Sequence, residues 1–483
     1  MKPESASKLK SLLEADPGLP SESAPPSYWM LPEHPISSIQ SAILPDKTDV
    51  TVLGAGLTGT SAVKSLLGTT DDSTTIAVLD ARTICSGATG RNGGNLLTPG
   101  PLLYNHLRST YGPELAHKFI DFTHRVVSTT KEAMEKVAPE QSEIRAVTRI
   151  YAYKDQGLFQ AAKQSVLDYE ASRPESKGSH IILEREQVIK KYSVRGIVGA
   201  IELQAYSAWP YRFITEFWAA MIEEHKSRLS VETNTPVTKI EYDPDPAHPN
   251  HPYVLSTPRG VIRSSRVVHC TNAYSPHLLP GLRGRLYPYR ETMTVQDLGA
   301  GHGELRCWGI IQEPQTDAIT GAMTSQLLYL QQNLKSGQYF FGGGFNTIPE
   351  ILNTDDTPTD PRTSQYLQSE LSSFLDAPRE APQLVSTWTG VQGMTSDSAP
   401  LVGQVPKELS GRDGSDEWIA AGFNGGGMCM CWLAADALVT MMKGEPVPEW
   451  LPDFFVISEE RLAGKLTVER SVEVMAPYWK QPS

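Results

Sequence analysis

Residues 49–80 read DVTVLGAGLTGTSAVKSLLGTTDDSTTIAVLD, and this stretch decides the fold class. Its first part is short, β-branched and apolar, which is typical of a buried parallel strand. Residues 57–67 are compatible with a helix that places Ala62, Val63, Leu66 and Leu67 on its inner face. Residues 75–79 form a second short apolar run. The stretch therefore predicts a strand–helix–strand unit of an α/β fold.

Three glycines follow the first strand in the order Gly-x-Gly-x-x-Gly, and the third of them falls in the first turn of the predicted helix. Gly54 allows a tight turn, Gly56 lets the backbone approach a pyrophosphate, and Gly59 lets the helix pack close to the strand. Asp80 follows Gly59 by 21 residues, where its carboxylate can accept hydrogen bonds from a ribose. The helix N-terminus favours phosphate charge. This context predicts a dinucleotide site, and the alternative is a glycine-rich turn that binds no nucleotide.

Length and composition limit the classes of function. The chain has 483 residues, 40% of them apolar, which suits two or three domains with sizeable cores. The net charge is −12 and no basic patch with interleaved aromatic residues occurs, which argues against a nucleic-acid partner. No run is long enough to cross a bilayer, and the N-terminus is polar, without the apolar segment of a secretory signal. We expect a cytoplasmic protein without a membrane partner; the oligomeric state stays open.

The cysteines and histidines form no metal-binding pattern. The five cysteines lack the spacing of a disulfide framework or a zinc site. His248 and His251 lie in a proline-rich loop whose spacing matches no familiar metal site. We expect a solvated loop there and no bound metal.

A second glycine-rich turn lies far from the first in sequence. Residues 418–421 predict a strand that leads into GFNGGG at residues 422–427 and then into an apolar helix at residues 428–442. Residues 85–95, CSGATGRNGGN, are also small enough for the backbone to lie against a flat or anionic ligand. Two such turns can hold two parts of one extended ligand. FAD, with a pyrophosphate and a large flat ring, fits this arrangement better than NAD.

The rest of the chain alternates between two kinds of region. Further helices are predicted at residues 106–137, 156–171, 210–225 and 364–375. Further strands are predicted at residues 146–153, 237–242, 253–257, 266–270, 291–295, 327–330 and 339–341. Residues 106–200 are charged and mixed, and together with the strands after residue 287 they indicate a second domain. The apolar strands between them, and the strand near the C-terminus, continue the first domain.

Six blocks of sequence resemble one known family. They read VTVLGAGLTGTSAV with IAVLDA, CSGATGRNGGN, SAWPYRF, RVVHCTNAYS, GVQGMTSDSAPLVGQVP and WIAAGFNGGGM. Together they are similar to the D-amino-acid oxidase/glycine oxidase (DAO) superfamily of FAD-dependent oxidoreductases, over residues 49–444. The second block looks like the bacterial and fungal branch that includes gamma-glutamylputrescine oxidase-like proteins.

The resemblance implies a Rossmann-like FAD-binding α/β domain, built from discontinuous segments, beside an α+β substrate domain with an antiparallel sheet. We assign residues 46–105, 205–280 and 385–445 to the FAD-binding domain, and residues 106–204 and 281–384 to the substrate domain. Residues 1–45 are expected to form an extended arm that packs Tyr28 and Trp29 on the body. Residues 446–483 are expected to form a C-terminal tail.

The resemblance also implies which residues hold FAD. The first turn and its acid would bind the ADP half, and the small residues after residue 87 would line the pyrophosphate and the ring. Val237 would touch the adenine side, and the second turn would lie near the ribityl chain and the flavin C2 carbonyl. The predicted FAD-binding residues are Gly54, Gly56, Leu57, Thr58, Gly59, Asp80, Ala81, Arg82, Ala88, Thr89, Gly90, Arg91, Asn92, Gly93, Gly94, Val237, Thr271, Asn272, Gly393, Met394, Gly422, Phe423, Asn424, Gly425, Gly426, Gly427 and Met428.

The chemistry implied by the resemblance is oxidation of the carbon–nitrogen bond of an amine. A hydride leaves the carbon next to a neutral amine for flavin N5 and gives an imine, with molecular oxygen as the expected acceptor. Such a reaction needs orientation and a deprotonated amine more than an acid–base triad. The predicted substrate-side residues are Arg91, Tyr206, Trp209, Arg212, Tyr329 and Cys429.

Several positions depart from the sarcosine oxidase-like members of the family. Gly390 stands where those members attach the flavin to a cysteine, which predicts non-covalent FAD. Cys429 replaces a lysine that holds the substrate carboxylate, and Gly426 replaces a histidine. Phe340 lies nearest to the position of the lysine that activates oxygen. These changes argue against a simple amino-acid substrate and a fast reaction with oxygen, and we expect a bulkier, more apolar amine.

Each substrate-side candidate has a structural alternative. Arg91 faces the flavin or a substrate anion, or it forms a structural ion pair. Arg212 holds a carboxylate or forms a surface salt bridge. The aromatic candidates wall an amine pocket through cation–π contacts, or they pack in the core. Cys429 lies beside the flavin loop or is a core residue of an apolar helix.

Three alternatives to an amine oxidase stay open at the level of the sequence. The first is a dehydrogenase that passes electrons to a carrier, which the missing lysine would favour. The second is a tailoring oxidase of a complex secondary-metabolite amine, which drives cyclisation or demethylation. The third is a flavin-binding protein without turnover, against which the intact flavin motifs argue.

Overall fold

The structure is a computed structural model of the chain, and it describes residues 3–299, 305–375 and 382–479. The other residues belong to the predicted arm, substrate domain and tail and lie outside the described residues. Strands and helices are numbered along the chain.

The first sheet has eight strands and a parallel centre. They are β1 (Lys47–Leu53), β2 (Ile76–Leu79), β7 (Leu229–Glu232), β8 (Lys239–Tyr242), β9 (Tyr253–Thr257), β10 (Gly260–His269), β18 (Leu401–Gln404) and β19 (Glu417–Ala421). The main order is β18-β19-β10-β1-β2-β7, and the hairpin of β8 and β9 adds to β10. The pairs of β1 with β2 and β10, of β2 with β7 and of β10 with β19 are parallel.

The second sheet has nine strands and is mostly antiparallel. They are β3 (Asn95–Leu96), β4 (Arg145–Tyr153), β5 (His180–Glu184), β6 (Gly199–Ser207), β11 (Leu286–Asp297), β12 (Arg306–Ile311), β14 (Leu327–Gln332), β15 (Tyr339–Gly343) and β17 (Gln383–Thr395). The order is β17-β11-β15-β14-β12-β4-β6-β3, with β5 on β6. Only the pair of β4 and β12 is parallel among the described strands of this sheet. Two short strands, β13 (Met323–Thr324) and β16 (Phe345–Asn346), form a separate pair.

Helices cover both sheets and the chain ends. They are α1 (Pro3–Leu13), α2 (Leu57–Thr69), α3 (Tyr104–Tyr111), α4 (Pro113–Val137), α5 (Gln156–Ser172), α6 (Arg185–Tyr192), α7 (Pro210–Glu224), α8 (Ser275–Leu278), α9 (Ile348–Ile351), α10 (Pro361–Phe374), α11 (Lys407–Ser410), α12 (Cys431–Met442), α13 (Glu459–Gly464) and α14 (Val468–Met475). No helix in the described part of the chain is both long and apolar enough to cross a membrane.

The predicted strand–helix–strand unit is formed by β1, α2 and β2. Because β1, β10 and β19 are parallel neighbours, the turns after β1 and β19 leave the same edge of the sheet. The helices that follow these turns, α2 and α12, pack against each other. Ser61 Oγ donates to the Trp432 carbonyl at 2.6 Å, and Lys64 Nζ lies 3.0 Å from Asp436 Oδ1. The two glycine-rich turns are therefore brought together, and the predicted α/β fold is confirmed.

Two predicted helices have different limits in the structure. The helix expected at residues 106–137 is divided into α3 and α4. Gly112 has a φ of +88°, which ends α3, and Pro113 opens α4. The helix expected from residue 428 begins at Cys431, after a 3-10 turn at Gly427–Cys429.

The N-terminal arm is not extended throughout, because its first part forms α1. Leu9 and Leu13 are buried on one face of this helix, in a cluster that includes Met475 of α14. Lys10 also pairs with Glu469 at 3.2 Å. The expected packing of aromatic residues is present further along, where Trp29 is buried. The predicted tail likewise contains two helices, α13 and α14.

Two expected domain boundaries fall inside strands of the second sheet. The FAD-binding segment expected from residue 205 begins within β6, which runs from Gly199 to Ser207. We placed the start of a FAD-binding segment at residue 385, but β17 pairs with β11 from Gln383 to Thr395 as part of the second sheet. This long strand carries the chain from the second sheet towards the second glycine-rich turn.

Candidate active site

The first glycine-rich turn needs its glycines for close packing. Gly54 has a φ of +104°, and a Cβ atom there would lie 2.9 Å from the Cys270 carbonyl oxygen. A Cβ atom on Gly59 would collide with the Gly54 carbonyl oxygen. The first N–H of α2, on Leu57, donates to Thr89 Oγ1 at 3.0 Å. The start of the helix is therefore held beside the small-residue loop at residues 85–95.

Asp80 lies where β2 ends and is fixed by the backbone around it. Its Oδ2 accepts a hydrogen bond from the Ala55 N–H at 2.7 Å, and its Oδ1 accepts one from the Arg82 N–H at 2.9 Å. Burial raises the pKa of this carboxyl group, although the two hydrogen bonds act in the opposite direction. Each carboxylate oxygen keeps a further lone pair, so Asp80 can also accept hydrogen bonds from a ribose.

Asp356, which the sequence analysis did not single out, joins two predicted arginines. Its carboxylate lies 2.9 Å from Arg82 Nη1 and 3.4 Å from Arg91 Nε, and all three side chains are at most 10% exposed. The Arg91 guanidinium also donates to three backbone carbonyls at 2.8 to 3.0 Å. Burial lowers the pKa of Arg91 to about 10, so this group is still a cation at neutral pH. The geometry favours a structural ion pair for Arg91 over contact with an anion.

The second glycine-rich turn is held by two asparagines. The Gly422 N–H donates to Asn272 Oδ1 at 3.0 Å, and the Asn424 N–H donates to the Gly393 carbonyl at 3.0 Å. Asn424 Oδ1 accepts from the Thr395 N–H at 2.8 Å. Both asparagines have left-handed backbone, with φ of +46° and +50°. Their side chains therefore shape the turn, whichever ligand lies against it.

A cavity of about 830 Å³ is lined by both turns and by one face of the second sheet. Most of the predicted site residues line it. They are Gly54, Gly56, Leu57, Thr58, Asp80, Ala81, Arg82, Ala88, Thr89, Arg91, Asn92, Gly93, Val237, Thr271, Asn272, Tyr329, Phe423, Asn424, Gly425, Gly426, Gly427, Met428 and Cys429. The structure thus brings residues from distant parts of the sequence into one site.

Six predicted FAD-binding residues do not line the cavity. They are Gly59, Gly90, Gly94, Gly393, Met394 and Gly422. A Cβ atom on any of the five glycines would press against other parts of the protein, so these glycines allow close packing rather than ligand contact. Met394 packs instead in the cluster that contains Leu9 and Tyr287.

Tyr206, Trp209 and Arg212 also lie outside the cavity lining. The Trp209 Nε1–H donates to the Trp29 carbonyl, which fixes this indole in an aromatic cluster. The Arg212 guanidinium lies 3.6 Å from the centre of the Trp209 ring system and 2.9 Å from Glu143 Oε1. The carboxylate partner of Arg212 is therefore part of the protein. Tyr206 is partly buried and packs against the core cluster that contains Trp209. For these three residues the structure favours the packing and salt-bridge alternatives.

Cys429 lies at the cavity but carries no charge. Its Sγ donates to the Gly426 carbonyl at 3.3 Å, and burial raises the pKa of the thiol to about 12. A neutral thiol cannot replace the positive charge of a lysine as a partner for a carboxylate.

Sequence reasoning missed two charged residues of the second sheet that line the cavity, Arg149 and Glu291. Arg149 lies in β4 and Glu291 lies in β11. A signal existed in the sequence, since each is a charged residue inside a segment that was predicted as a strand. The sequence did not show which other strands would lie beside them.

The residues around the first turn fit a dinucleotide cofactor. The turn presents a helix N-terminus, a close backbone approach and an acid to the same cavity. A family model described as "FAD dependent oxidoreductase" (DAO) matches residues 49–441. The chain belongs to this family. It is therefore an FAD-dependent oxidoreductase, and the predictions of the family and of the cofactor are confirmed. The gamma-glutamylputrescine oxidase-like branch stays a prediction.

Solved structures show the same fold. Glycine oxidase from Geobacillus kaustophilus has a TM-score of 0.65 at 14% identity, covering 86% of this chain and 99% of its own. L-proline dehydrogenase from P. horikoshii has a TM-score of 0.62 at 18% identity, covering 88% and 100%. NikD, an amino acid oxidase essential for nikkomycin biosynthesis, has a TM-score of 0.61 at 15% identity, covering 84% and 96%. No curated protein sequence matches the chain.

In this FAD-dependent oxidoreductase, Gly390 lines the cavity and provides no side chain for a covalent link. A Cβ atom at this position would lie 3.1 Å from Arg91 Cβ, so the backbone of β17 approaches the small-residue loop closely. Both features fit FAD that is held without a covalent bond.

Proposed function

We propose that this FAD-dependent oxidoreductase oxidises the carbon–nitrogen bond of an amine to an imine. The observation that carries the proposal is the Glu291 carboxylate, which lines the cavity and has no cationic side chain among its hydrogen-bonding or charged neighbours in the described residues. The ammonium group of a substrate would supply the missing positive charge. When bound, FAD supplies a hydride acceptor at N5.

The carboxylate of Glu291 is held in place by neutral donors. Ser325 Oγ and Gln392 Nε2 each donate to it at 2.9 Å, and the Tyr329 hydroxyl lies 3.5 Å away. Burial raises the pKa of Glu291, although these hydrogen bonds act in the opposite direction. A raised pKa makes the carboxylate a better proton acceptor. Glu291 would therefore take a proton from the ammonium group and leave the neutral amine that can lose a hydride.

Tyrosine rings extend the site from Glu291 across the sheet. Tyr329 and Tyr151 both line the cavity, and burial raises the pKa of each phenol, so both stay neutral. The face of such a ring attracts an ammonium group. The aromatic contacts expected from the sequence for Tyr329 are therefore proposed for these two residues.

An apolar part of the cavity supports a substrate larger than a simple amino acid. Leu97, Leu102, Leu158 and Ala162 line the cavity, and the last two belong to α5. These side chains offer apolar surface and no charge. They would take a hydrocarbon portion of the amine, as we expected for a bulkier substrate, and they also suit a tailoring enzyme that acts on a complex amine.

The electron acceptor in this proposal is molecular oxygen, with an electron carrier as a second candidate. One observation favours the carrier. No lysine lines the cavity within the described ranges, and Phe340 is buried and stacked on Trp29 with 4.1 Å between the ring centres. Stopped-flow mixing of the reduced enzyme with air-saturated buffer separates the two. Rapid reoxidation supports an oxidase, and slow reoxidation excludes one.

Anaerobic bleaching of the flavin by a panel of amines tests the proposal itself. The purified enzyme is first precipitated with acid, and FAD in the supernatant shows that the cofactor is present and non-covalent. We expect at least one bulky amine to bleach the flavin. If amines fail while other classes of reductant, such as alcohols, bleach it, amine oxidation is excluded; if nothing bleaches it, a flavin-binding protein without turnover is favoured.

Glu291→Gln provides the sharper test. The amide keeps the size and one acceptor but cannot take the proton, so we expect flavin reduction to slow by about 10²- to 10⁴-fold. Glu370→Gln is the matched control, because Glu370 pairs with Lys154 outside the cavity lining. Equal reduction rates for the wild type and Glu291→Gln would contradict the role of Glu291 as the proton acceptor.

A further inference from the structure

Arg149 is a second unpaired charge in the same cavity. The residue is 2% exposed, and its guanidinium lies 3.8 Å from Cys307 Sγ and 4.6 Å from the centre of the Tyr151 ring. No carboxylate is among its charged neighbours in the residues that the structure describes, and its Nε has no hydrogen-bond partner there. A buried arginine in these surroundings is costly unless an anion pairs with it. The cavity therefore offers a binding position for an anion.

Arg149 and Glu291 lie on the same face of the second sheet. The strands β4, β12, β14, β15 and β11 are consecutive neighbours. One row of directly opposed residues crosses them, namely Tyr151, Gly309, Tyr329, Gly342 and Met293. Arg149 is two residues from the first member of this row, and Glu291 is two residues from the last. Since side chains alternate along a strand, both charged residues point to the face of this row.

The two charges are nevertheless too far apart to pair. A Cβ atom on Gly309 would collide with the Arg149 guanidinium, so this group lies over β12. β12 is three strand positions from β11, which corresponds to about 14 Å. The Tyr329 ring lies over Gly342 of β15, so its hydroxyl and the Glu291 carboxylate beside it lie near β15 and β11, two to three strand positions from β12. The separation of the two charged groups is therefore roughly 10 to 14 Å.

We propose that the substrate is an elongated amine with an anionic group at the end opposite to its oxidised nitrogen. Glu291 binds the ammonium group and Arg149 binds the anion. An ion-pair distance of about 3 Å at each end leaves roughly 4 to 8 Å, or about four to seven bonds, between nitrogen and anion. An α-amino acid does not fit, because a single carbon atom separates its two charges. The inference rests on the proposed function only for the identity of the cation as an amine.

The face of the second sheet between the two charges leaves room for such a spacer. A Cβ atom on Gly309 would meet Arg149 and Tyr151, and one on Gly342 would meet the Tyr329 ring. The two glycines thus allow the long side chains to lie flat across the sheet. Aromatic rings then cover the distance from one charge to the other, and they suit a hydrocarbon spacer.

Binding of unbranched ω-amino carboxylates to the oxidised holoenzyme tests the inference. The series begins with glycine, and Kd is measured without oxygen by calorimetry and by the change in flavin absorbance. We expect the lowest Kd at about four to six carbon atoms. An alkylamine and an alkyl carboxylate of the same length are each expected to bind at least tenfold more weakly. The corresponding ω-amino phosphonates show whether the anion is preferably a carboxylate or a phosphorus oxyanion.

Arg149→Met removes the charge while keeping an apolar side chain of similar length. We expect it to raise the Kd of the best amino carboxylate by about 30-fold or more, and to leave the Kd of the alkylamine unchanged. Arg149→Lys, which keeps the charge, restores part of the affinity and guards against a folding defect. Lys154→Met is the matched control, because it removes a cation just beyond the end of the same strand, where Lys154 pairs with Glu370 outside the cavity lining.

The outcomes separate this inference from the proposed function. A Kd that is lowest for glycine, or that Arg149→Met raises equally for the amino carboxylate and the alkylamine, overturns the inference even if amines reduce the flavin. A Kd minimum at intermediate length that depends on Arg149 supports it, even if none of these compounds reduces the flavin, in which case it is the proposed oxidation that fails.

Discussion

Asp356→Asn is expected to weaken both the folded state and the binding of FAD. Asp356 is 1% exposed, and its two oxygens lie 3.0 and 2.9 Å from Arg82 Nη1, while Oδ2 lies 3.4 Å from Arg91 Nε. Asparagine keeps the shape and one acceptor but removes the negative charge that lies against both guanidinium groups. The change therefore leaves two buried cations near each other without the carboxylate between them, and of the two only Arg82 still has an anion, Asp80, among its charged neighbours in the described residues.

The expected loss of unfolding free energy and the expected rise in the Kd of FAD follow from these contacts. Removal of one partner from a buried ion pair costs about 3 to 5 kcal/mol of unfolding free energy. We expect a value of about 3 kcal/mol, at the lower end, since the Arg91 guanidinium keeps its bonds to three backbone carbonyls and the asparagine oxygen still accepts one hydrogen bond. Both arginines also hold the Ser86 carbonyl, in the loop beside the start of α2. Looser packing of this loop should raise the Kd of FAD by roughly 5- to 10-fold, which corresponds to the net free energy of about one hydrogen bond.

Two measurements on the apoprotein check this prediction. Denaturant unfolding gives the loss of stability, and quenching of FAD fluorescence on titration gives the Kd. Asp355→Asn is the matched control, because Asp355 is exposed and its Oδ1 accepts from the Thr357 N–H. If Asp356→Asn and the control both change the unfolding free energy by less than about 1 kcal/mol, the reasoning about the two arginines is refuted.

Three further changes test other parts of the structure. Gly59→Ala should abolish FAD retention, because its Cβ would strike a turn carbonyl, whereas Gly68→Ala in the same helix meets nothing within 4 Å and should keep full flavin content on the purified protein. Burial opposes ionisation of Glu417, but hydrogen bonds from an arginine and a histidine outweigh it and lower the pKa to about 2. Since this pKa lies below the ordinary 4.5, the wild type should lose up to about 3 kcal/mol of unfolding free energy as the pH falls from 4.5 to 2. Acid unfolding of Glu417→Gln should show a smaller loss over the same range. Phe340→Ala should cost about 3 to 5 kcal/mol in denaturant unfolding, and a cost under 1 kcal/mol would contradict the packing of Phe340 in the aromatic cluster.

The nucleotide half of the fold could be predicted because its signals are local. Apolar β-branched residues, three glycines and an acid follow one another within residues 49–80, and each has its physical reason inside the same unit. The second turn, at residues 422–427, has the same kind of signal. Helix limits were less predictable, because they depend on single residues such as Gly112 with its positive φ. Helix α1 could not be expected from a polar segment, since its buried face is completed by α14.

The substrate side of the site was less accessible to sequence reasoning. Trp209 and Arg212 have the residue types of an amine and carboxylate site, but Glu143 and the aromatic cluster satisfy them within the protein. Arg149 and Glu291 were not predicted as site residues, because the role of a charged residue in a strand depends on the strands beside it. Sequence periodicity gives the face of a strand and leaves its neighbours undetermined.

This difference bears on what the missing lysine means. The resemblance to the family suggested that Cys429, in place of a lysine, leaves the site without a partner for a carboxylate. The structure supplies a cation from β4 instead, and Arg149, the neighbouring Tyr151 and Cys429 all line the same cavity. The change at Cys429 therefore does not show that the substrate lacks an anion. The positive charge enters the cavity from β4 and not from the position of Cys429. The place of this charge sets the distance between the anion and the amine of the proposed substrate.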